Sequence, residues 1–155
     1  MRYRASQFSP PFDPYSYSRG RWLDRDEQRQ KARRLDFNFE ALLNVAVKCS
    51  NGAREVVACE KREGGFNRVF IIKLDNGAKV VAKVPMQFAG PAALTTMSEV
   101  ATLRYVKDKT YVPVPRVLAW SSKSGSGSVG IEYVIMDVWR RSERYLGQND
   151  RASAS

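Results

Sequence analysis

Residues 64–70 read GGFNRVF and residues 80–85 read VVAKVP, and the interpretation of the whole chain starts from these two stretches. The first is a glycine turn between two extended runs. The second is an apolar strand that contains one lysine, Lys83. An ammonium group in an apolar strand needs a partner, because its removal from water is costly unless it is paired. A glycine turn near such a lysine predicts a site for a phosphate group.

Regular patterns extend outward from these two stretches. Before them, apolar residues recur with the period of an amphipathic helix, which Asp36 or Asn38 is expected to cap. These residues are Phe39, Leu42, Leu43 and Ala46. Three strands are predicted to begin at Val56, Arg68 and Lys79, and Asn76-Gly77 predicts a hairpin with a tight primed turn.

A second helix is predicted from Thr95 or Thr96 to Lys109, followed by strands over 116–120 and 130–138. The order of elements is therefore helix, three strands, helix and two strands. Short connections favour antiparallel pairing. The sequence predicts an α+β fold with a five-stranded antiparallel sheet, a helix packed on it and a leading helix.

Composition divides the chain into three predicted parts. Residues 1–34 form a basic N-terminal arm that is largely disordered or lies on another surface, with Trp22 and Leu23 as its anchors. Residues 35–138 form the folded domain. Residues 139–155 lose the apolar pattern and are expected to be a disordered tail.

The charge and the residue types exclude several classes of protein. The formal net charge is +10, but residues 1–34 alone contain nine basic and four acidic side chains, so the excess lies mostly in the ends. That distribution argues against a basic nucleic-acid-binding protein. The chain has no histidine, which removes histidine acid–base chemistry and most zinc sites. No apolar run reaches the ~20 residues of a membrane span.

Each residue of the predicted phosphate site also has a simpler interpretation. Gly64-Gly65 fits an ordinary turn. Lys83 fits a lysine on an edge strand that reaches water. Glu99 fits the end of a capping box that starts at Thr96, but it also shares a helix face with Leu103, from which it would pair with Lys83. Spacing alone leaves these alternatives open.

Several long motifs resemble fungal proteins of the aminoglycoside phosphotransferase and protein-kinase-like superfamily. They are EGGFNRVFIIKL, VVAKVP, AGPAALTTMSEVATLRYVKDKTYVPVPRVLAW and VGIEYVIMDV. The resemblance is strongest to the altered-inheritance-of-mitochondria branch, the ninth of its series, and runs from about Tyr15 to Val138. It implies that residues 35–138 are a kinase-like N-terminal lobe and that the protein is mitochondrial; without the resemblance, a cytoplasmic location is expected.

The resemblance also implies roles for individual residues. Lys83 would contact the α- and β-phosphates of ATP, and Glu99 would be its ion-pair partner. The nucleotide loop would be Gly64, Gly65, Phe66 and Asn67, and the hinge that contacts the adenine would be Met136, Asp137 and Val138.

The family pattern stops after Val138. Related proteins continue into a helical C-terminal lobe with a histidine/aspartate catalytic loop and magnesium ligands, and this sequence has neither motif. The expectation is a truncated phosphotransferase domain that keeps the nucleotide-binding half. It would have no catalytic or metal-binding residue, its ATP binding would be weak or lost, and it would be inactive alone. The alternatives are a non-catalytic pseudokinase module and, against the charge distribution, a nucleic-acid-binding protein.

The missing lobe also predicts a partner. An N-terminal lobe normally buries one face against its C-terminal lobe. Without that lobe, an apolar surface around Val134, Met136 and Leu103 is expected to be exposed, where the lobe itself or another protein would bind.

Overall fold

A computed structural model describes residues 8–18, 23–86, 92–123 and 127–138. Three helices and five strands lie within these residues. In chain order they are α1 Asp26–Ala32, α2 Phe39–Lys48, β1 Val56–Glu63, β2 Asn67–Leu74, β3 Lys79–Pro85, α3 Ala92–Lys109, β4 Val117–Ser121 and β5 Tyr133–Asp137. None of these helices is both long enough and apolar enough to cross a membrane.

The five strands form one antiparallel sheet in the order β1-β2-β3-β5-β4. The first three strands form a meander because their connections are short turns. The connection that contains α3 then carries the chain past β5 to the edge strand β4, and β5 returns between β4 and β3. The predicted α+β fold with a five-stranded antiparallel sheet is confirmed.

Alternation along β3 gives the sheet two different faces. Val80, Ala82 and Val84 are buried on one face, which we call the core face. It is covered by α2, whose apolar residues join them in the main core. Lys83 lies on the opposite face, which α3 covers, and we call this the site face.

The N-terminal arm contributes to the core. Residues 8–17 lie on the core face, where the Phe12 ring is 6.3 Å from that of Phe70 and the Tyr15 ring is 5.5 Å from that of Phe37. The arm was expected either to be disordered or to lie on another surface. Residues 8–17 lie on a surface, and that surface belongs to the same chain. The expectation that Leu23 anchors the arm is wrong, since its side chain is fully exposed. Trp22, the other expected anchor, lies outside the described residues.

Several boundaries differ from the sequence-based expectations. Helix α2 is capped by Asn38, whose side chain accepts a hydrogen bond from the Ala41 amide at 2.9 Å. Helix α3 begins at Ala92, before Thr95, because residues 92–94 are strong helix formers. Strand β5 begins three residues later than expected, at Tyr133.

The hairpin between β2 and β3 is present, but its turn is not of the primed type. A primed turn of type I′ needs positive φ angles at both central residues, and only Gly77 has one, at 81°. Gly77 N donates to Leu74 O and Leu74 N donates to Ala78 O. This is the three-residue loop in which a type I turn is followed by a glycine bulge. Asn-Gly fits either turn, so the dipeptide alone does not distinguish them.

Cys59 is buried in strand β1, and burial raises the pKa of its thiol to about 12. At pH 8 we therefore expect iodoacetamide to label Cys59 slowly in the folded protein, but rapidly in urea. The unfolded thiol ionises near pH 9 and the folded thiol does not, so this group also lowers stability as the pH rises above 9. Peptide mass spectrometry after timed labelling measures the first effect; equal labelling rates with and without urea would contradict it.

The predicted domain limits at residues 34 and 138 remain predictions. The expected tail, residues 139–155, lies outside the described residues.

Candidate functional site

The predicted glycine loop is a tight turn between β1 and β2. The Gly64 amide donates to Asn67 O at 2.8 Å. A Cβ atom on Gly64 would lie 3.1 Å from that same oxygen, so only glycine fits this position without a shift of the backbone. Phe66 O accepts from the Met86 amide at 2.8 Å, which fastens the turn to the end of β3. The Phe66 side chain itself is 65% exposed.

Lys83 and Glu99 form an ion pair, with 2.6 Å between Lys83 Nζ and Glu99 Oε1. Glu99 lies inside α3, because the helix begins seven residues earlier at Ala92. The capping-box interpretation of Glu99 is therefore wrong. The edge-strand interpretation of Lys83 is also wrong, since β3 lies between β2 and β5. The two side chains are about a quarter exposed, so the pair borders on solvent.

The strand register places the predicted site residues in a line on the site face. Lys83 is paired with Val69 on one side and with Val134 on the other. Asn67, at the glycine turn, is paired with Pro85, and Met136 is paired with Val81. Because a strand rises ~3.4 Å per residue, the turn and Met136 are displaced from Lys83 by about 7 Å in opposite directions along the strands, each on a neighbouring strand.

Asp137 does not join this line. Its side chain accepts from the Arg116 amide at 2.6 Å and lies 3.5 Å from the Arg116 guanidinium, which closes the β4–β5 pair. The Asp137 amide donates to Arg116 O, and the Val138 amide donates to Lys79 O. Two backbone donors of the predicted hinge are thus already engaged within the domain. Met136 is the hinge residue that the structure brings to the Lys83 side.

Magnesium, which the family resemblance implies, has no ligand set in the part of the chain that the structure describes. No group of three or more Asp, Glu, Cys or His side chains there could hold a metal ion. The Lys83–Glu99 pair offers one ammonium and one carboxylate already joined to each other. The carboxylates of the described residues therefore do not fit a magnesium ion.

Sequence reasoning missed a group of buried charges on the core face, directly behind the glycine turn. Lys61, Glu63 and Arg68 form it, and we call it the charge cluster. The Glu63 carboxylate lies 3.4 Å from Lys61 Nζ and 3.1 Å from Arg68 Nε, and all three side chains are at most 5% exposed. The one available signal was alternation, because Lys61 and Glu63 share a strand face with the apolar residue Cys59.

The predicted exposed apolar surface lies elsewhere. Val134 is only 2% exposed, and Leu103 and Met136 are half-buried. Five of the large apolar side chains that face solvent in the described residues lie in α3 and in the segment after it. They are Leu94, Met97, Tyr105, Tyr111 and Val112.

Comparison with known proteins finds fungal relatives. The chain is 48% identical over 75 residues to a subtelomeric hrmA-associated cluster protein of Aspergillus fumigatus, a match that covers 48% of this chain and 14% of that protein. It is 28% identical over 144 residues to altered inheritance of mitochondria protein 9, mitochondrial, of Candida dubliniensis, covering 72% of this chain and 23% of that protein. The Candida tropicalis protein of the same name is 24% identical over 153 residues, with 78% and 24% covered.

These matches are distant or partial, and the chain spans a quarter or less of the length of each of these relatives. No family model matches the chain, and no solved structure matches it. The mitochondrial names of the Candida relatives support the expected mitochondrial localisation.

Proposed function

We propose that this chain forms the phosphate-binding half of a nucleotide site and that its ligand is ATP. The observation that carries the proposal is the 2.6 Å pair between Lys83 and Glu99 on a central strand. A lysine held in this way presents a fixed positive charge on the site face, at the border with solvent. The glycine turn lies on the same side, about two residues further along the strands.

The proposed division of labour follows from the chemistry of each group. Lys83 supplies the cation for the phosphates, and Glu99 fixes the direction of its ammonium group. The turn at 64–67 supplies a backbone that can approach a phosphate closely, since Gly65 carries no side chain and the space that a Cβ atom would take there is open. Met136 supplies an apolar contact for a base at the other end of the line.

For the longer protein to which the relatives point, we propose a kinase-like phosphotransferase located in mitochondria. Supporting observations are the strand order, the position of Lys83 and the names of the Candida relatives. The exposed apolar side chains on α3 fit a surface that a further lobe or a protein partner would cover. In that enzyme, this chain would supply nucleotide contacts.

The test is a calorimetric titration of the full 155-residue chain with ATP. Replacing Lys83 by alanine should weaken ATP binding about 10-fold to 100-fold, since a hydrogen bond to a charged group contributes roughly 1.5–3 kcal/mol. Glu99→Gln should weaken it less, because the ammonium remains. The control is Lys79→Ala, which removes an exposed lysine of the same strand and should leave binding unchanged.

Three outcomes separate the parts of the proposal. If the unmodified chain shows no heat of binding or thermal shift at millimolar ATP, with or without magnesium, the nucleotide site is refuted. Binding without phosphoryl transfer above the Lys83→Ala background identifies a non-catalytic nucleotide-binding module. Turnover above that background would instead show that this chain is itself a competent enzyme.

A further inference from the structure

Buried charged side chains on the core face connect the two strands that carry the glycine turn. Glu63 is the last residue of β1, and Arg68 is the second residue of β2, and the two are paired across the strands. Lys61 lies two residues before Glu63 on the same face. The charge cluster therefore forms the base of the turn on the core face, while Lys83 lies on the site face.

The N-terminal arm satisfies the two cations of this cluster. Arg68 Nη1 donates to the carbonyls of Pro14 and Tyr15 at 3.1 and 2.7 Å. Lys61 Nζ donates to the carbonyls of Asp13 and Ser16 at 2.7 and 2.9 Å. Four consecutive carbonyl groups thus bind two buried cations, and we call residues 13–16 the carbonyl segment.

The carbonyl segment is itself fixed in shape. The Asp13 carboxylate accepts from the Tyr15 amide at 2.9 Å and from Ser16 Oγ at 2.7 Å. These bonds hold the pKa of Asp13 below its usual value. They bend the chain so that its carbonyls point to one side. Tyr15 O also accepts from the Leu35 amide at 3.0 Å, which ties the segment to the start of the folded domain.

A second link reaches the turn directly. Arg68 Nη2 donates to Arg33 O at 3.1 Å, and Arg33 Nη1 contacts Gly65 O at 3.4 Å. Arg68 is fully buried, so it cannot exchange its carbonyl partners for water without movement of its own strand. Loss of the carbonyl segment would therefore move the strands at the point where the glycine turn begins and ends.

We propose that the carbonyl segment positions the glycine turn. How firmly residues 13–16 are held in their conformation then sets the part of the nucleotide affinity that depends on the phosphates. The effect on affinity rests on the function proposed above. The effect on the turn does not, because it concerns two backbone hydrogen bonds in the free protein. These bonds are made by the amides of Gly64 and Met86.

The variant that tests this is Asp13→Ala in the full chain. It removes the two bonds that shape the carbonyl segment but leaves every buried charge in place. The matched control is Asp75→Ala, which removes another exposed carboxylate that accepts from two backbone amides, those of Arg54 and Glu55. Asp75 follows β2 at the end opposite the glycine turn, so it reports ordinary loss of stability.

Hydrogen exchange measured by NMR is the first readout. Asp13→Ala should speed exchange at Gly64 and Met86 by about fivefold to tenfold more than Asp75→Ala does, the equivalent of one lost hydrogen bond. Asp13→Asn should restore much of the protection, because its amide oxygen can still accept from the Tyr15 amide. Equal exchange in the two alanine variants would overturn the proposal.

Affinity is the second readout, measured with ATP and with adenosine. Asp13→Ala should weaken ATP binding about fivefold to tenfold, by the same single-bond equivalent, and leave adenosine binding unchanged. An equal loss for both ligands would show general destabilisation and overturn the link to the phosphates. If the unmodified chain binds neither ligand, the proposed function fails, and the exchange result alone decides whether the segment positions the turn.

Discussion

Replacing Phe70 by alanine should lower the free energy of unfolding by about 3–5 kcal/mol, the usual cost of removing a buried phenylalanine. Phe70 is fully buried in the middle of β2. Its ring lies 5.0 Å from Phe39, 6.1 Å from Phe37 and 6.3 Å from Phe12. The residue thus joins the strand, the start of α2 and the N-terminal arm, so the cavity would border all three.

The measurement is urea unfolding followed by circular dichroism. A loss of this size is a large part of the ~5–15 kcal/mol that stabilises a typical domain. Phe66→Ala is the matched control, since that ring lies four residues before Phe70, directly before β2, and is mostly exposed. It should change stability by less than about 0.5 kcal/mol. Similar losses of stability in both variants would mean that Phe70 and the rings around it do not form the centre of the core.

Replacing Glu63 by glutamine should lower the free energy of unfolding by about 3 kcal/mol, because two buried cations would lose their shared anion. The change keeps the size of the side chain, so the loss reports charge and not packing. Arg68 and Lys61 would still bind the carbonyl segment, but neutral acceptors balance a buried cation less well than a carboxylate does.

The control for this variant lies on the same strand. Glu60 pairs with Arg62, and both side chains are more than half exposed. Glu60→Gln should therefore cost at most about 1 kcal/mol, as exposed ion pairs usually do. Thermal and urea unfolding of the two variants can be compared directly. If Glu63→Gln costs no more than Glu60→Gln, the four carbonyls alone are sufficient to hold the cations.

Local patterns in the sequence predicted the sheet and gave the Lys83–Glu99 pair as one of two interpretations of Glu99. Lys83 is the one charged residue within the apolar run of residues 80–85, and Glu99 lies on the helix face that carries Leu103. Such signals involve residues near one another in the chain or regular along one element. What remained open was whether Glu99 capped its helix. That depended on where α3 begins, and three helix-forming residues before Thr95 moved the start to Ala92.

The charge cluster and its carbonyl partners could not be predicted in the same way. Backbone carbonyls are identical in every residue, so the acceptors at residues 13–16 leave no signature in the side chains. Proline and serine residues in the arm favour disorder by composition. The buried cations of β1 and β2 need hydrogen-bond acceptors, and the carbonyls of this segment supply them, which holds the segment on the sheet.

The contacts of the carbonyl segment also bear on the order in which the protein folds. Arg68 meets Pro14 and Tyr15 across 54 and 53 residues of chain, and Lys61 meets Ser16 across 45. The turns that join β1, β2 and β3 close over only a few residues. Short loops close at a smaller entropic cost than long ones, so we expect the meander to pair first. On this expectation, residues 13–16 precede the sheet in the chain but reach their native partners only after it has formed.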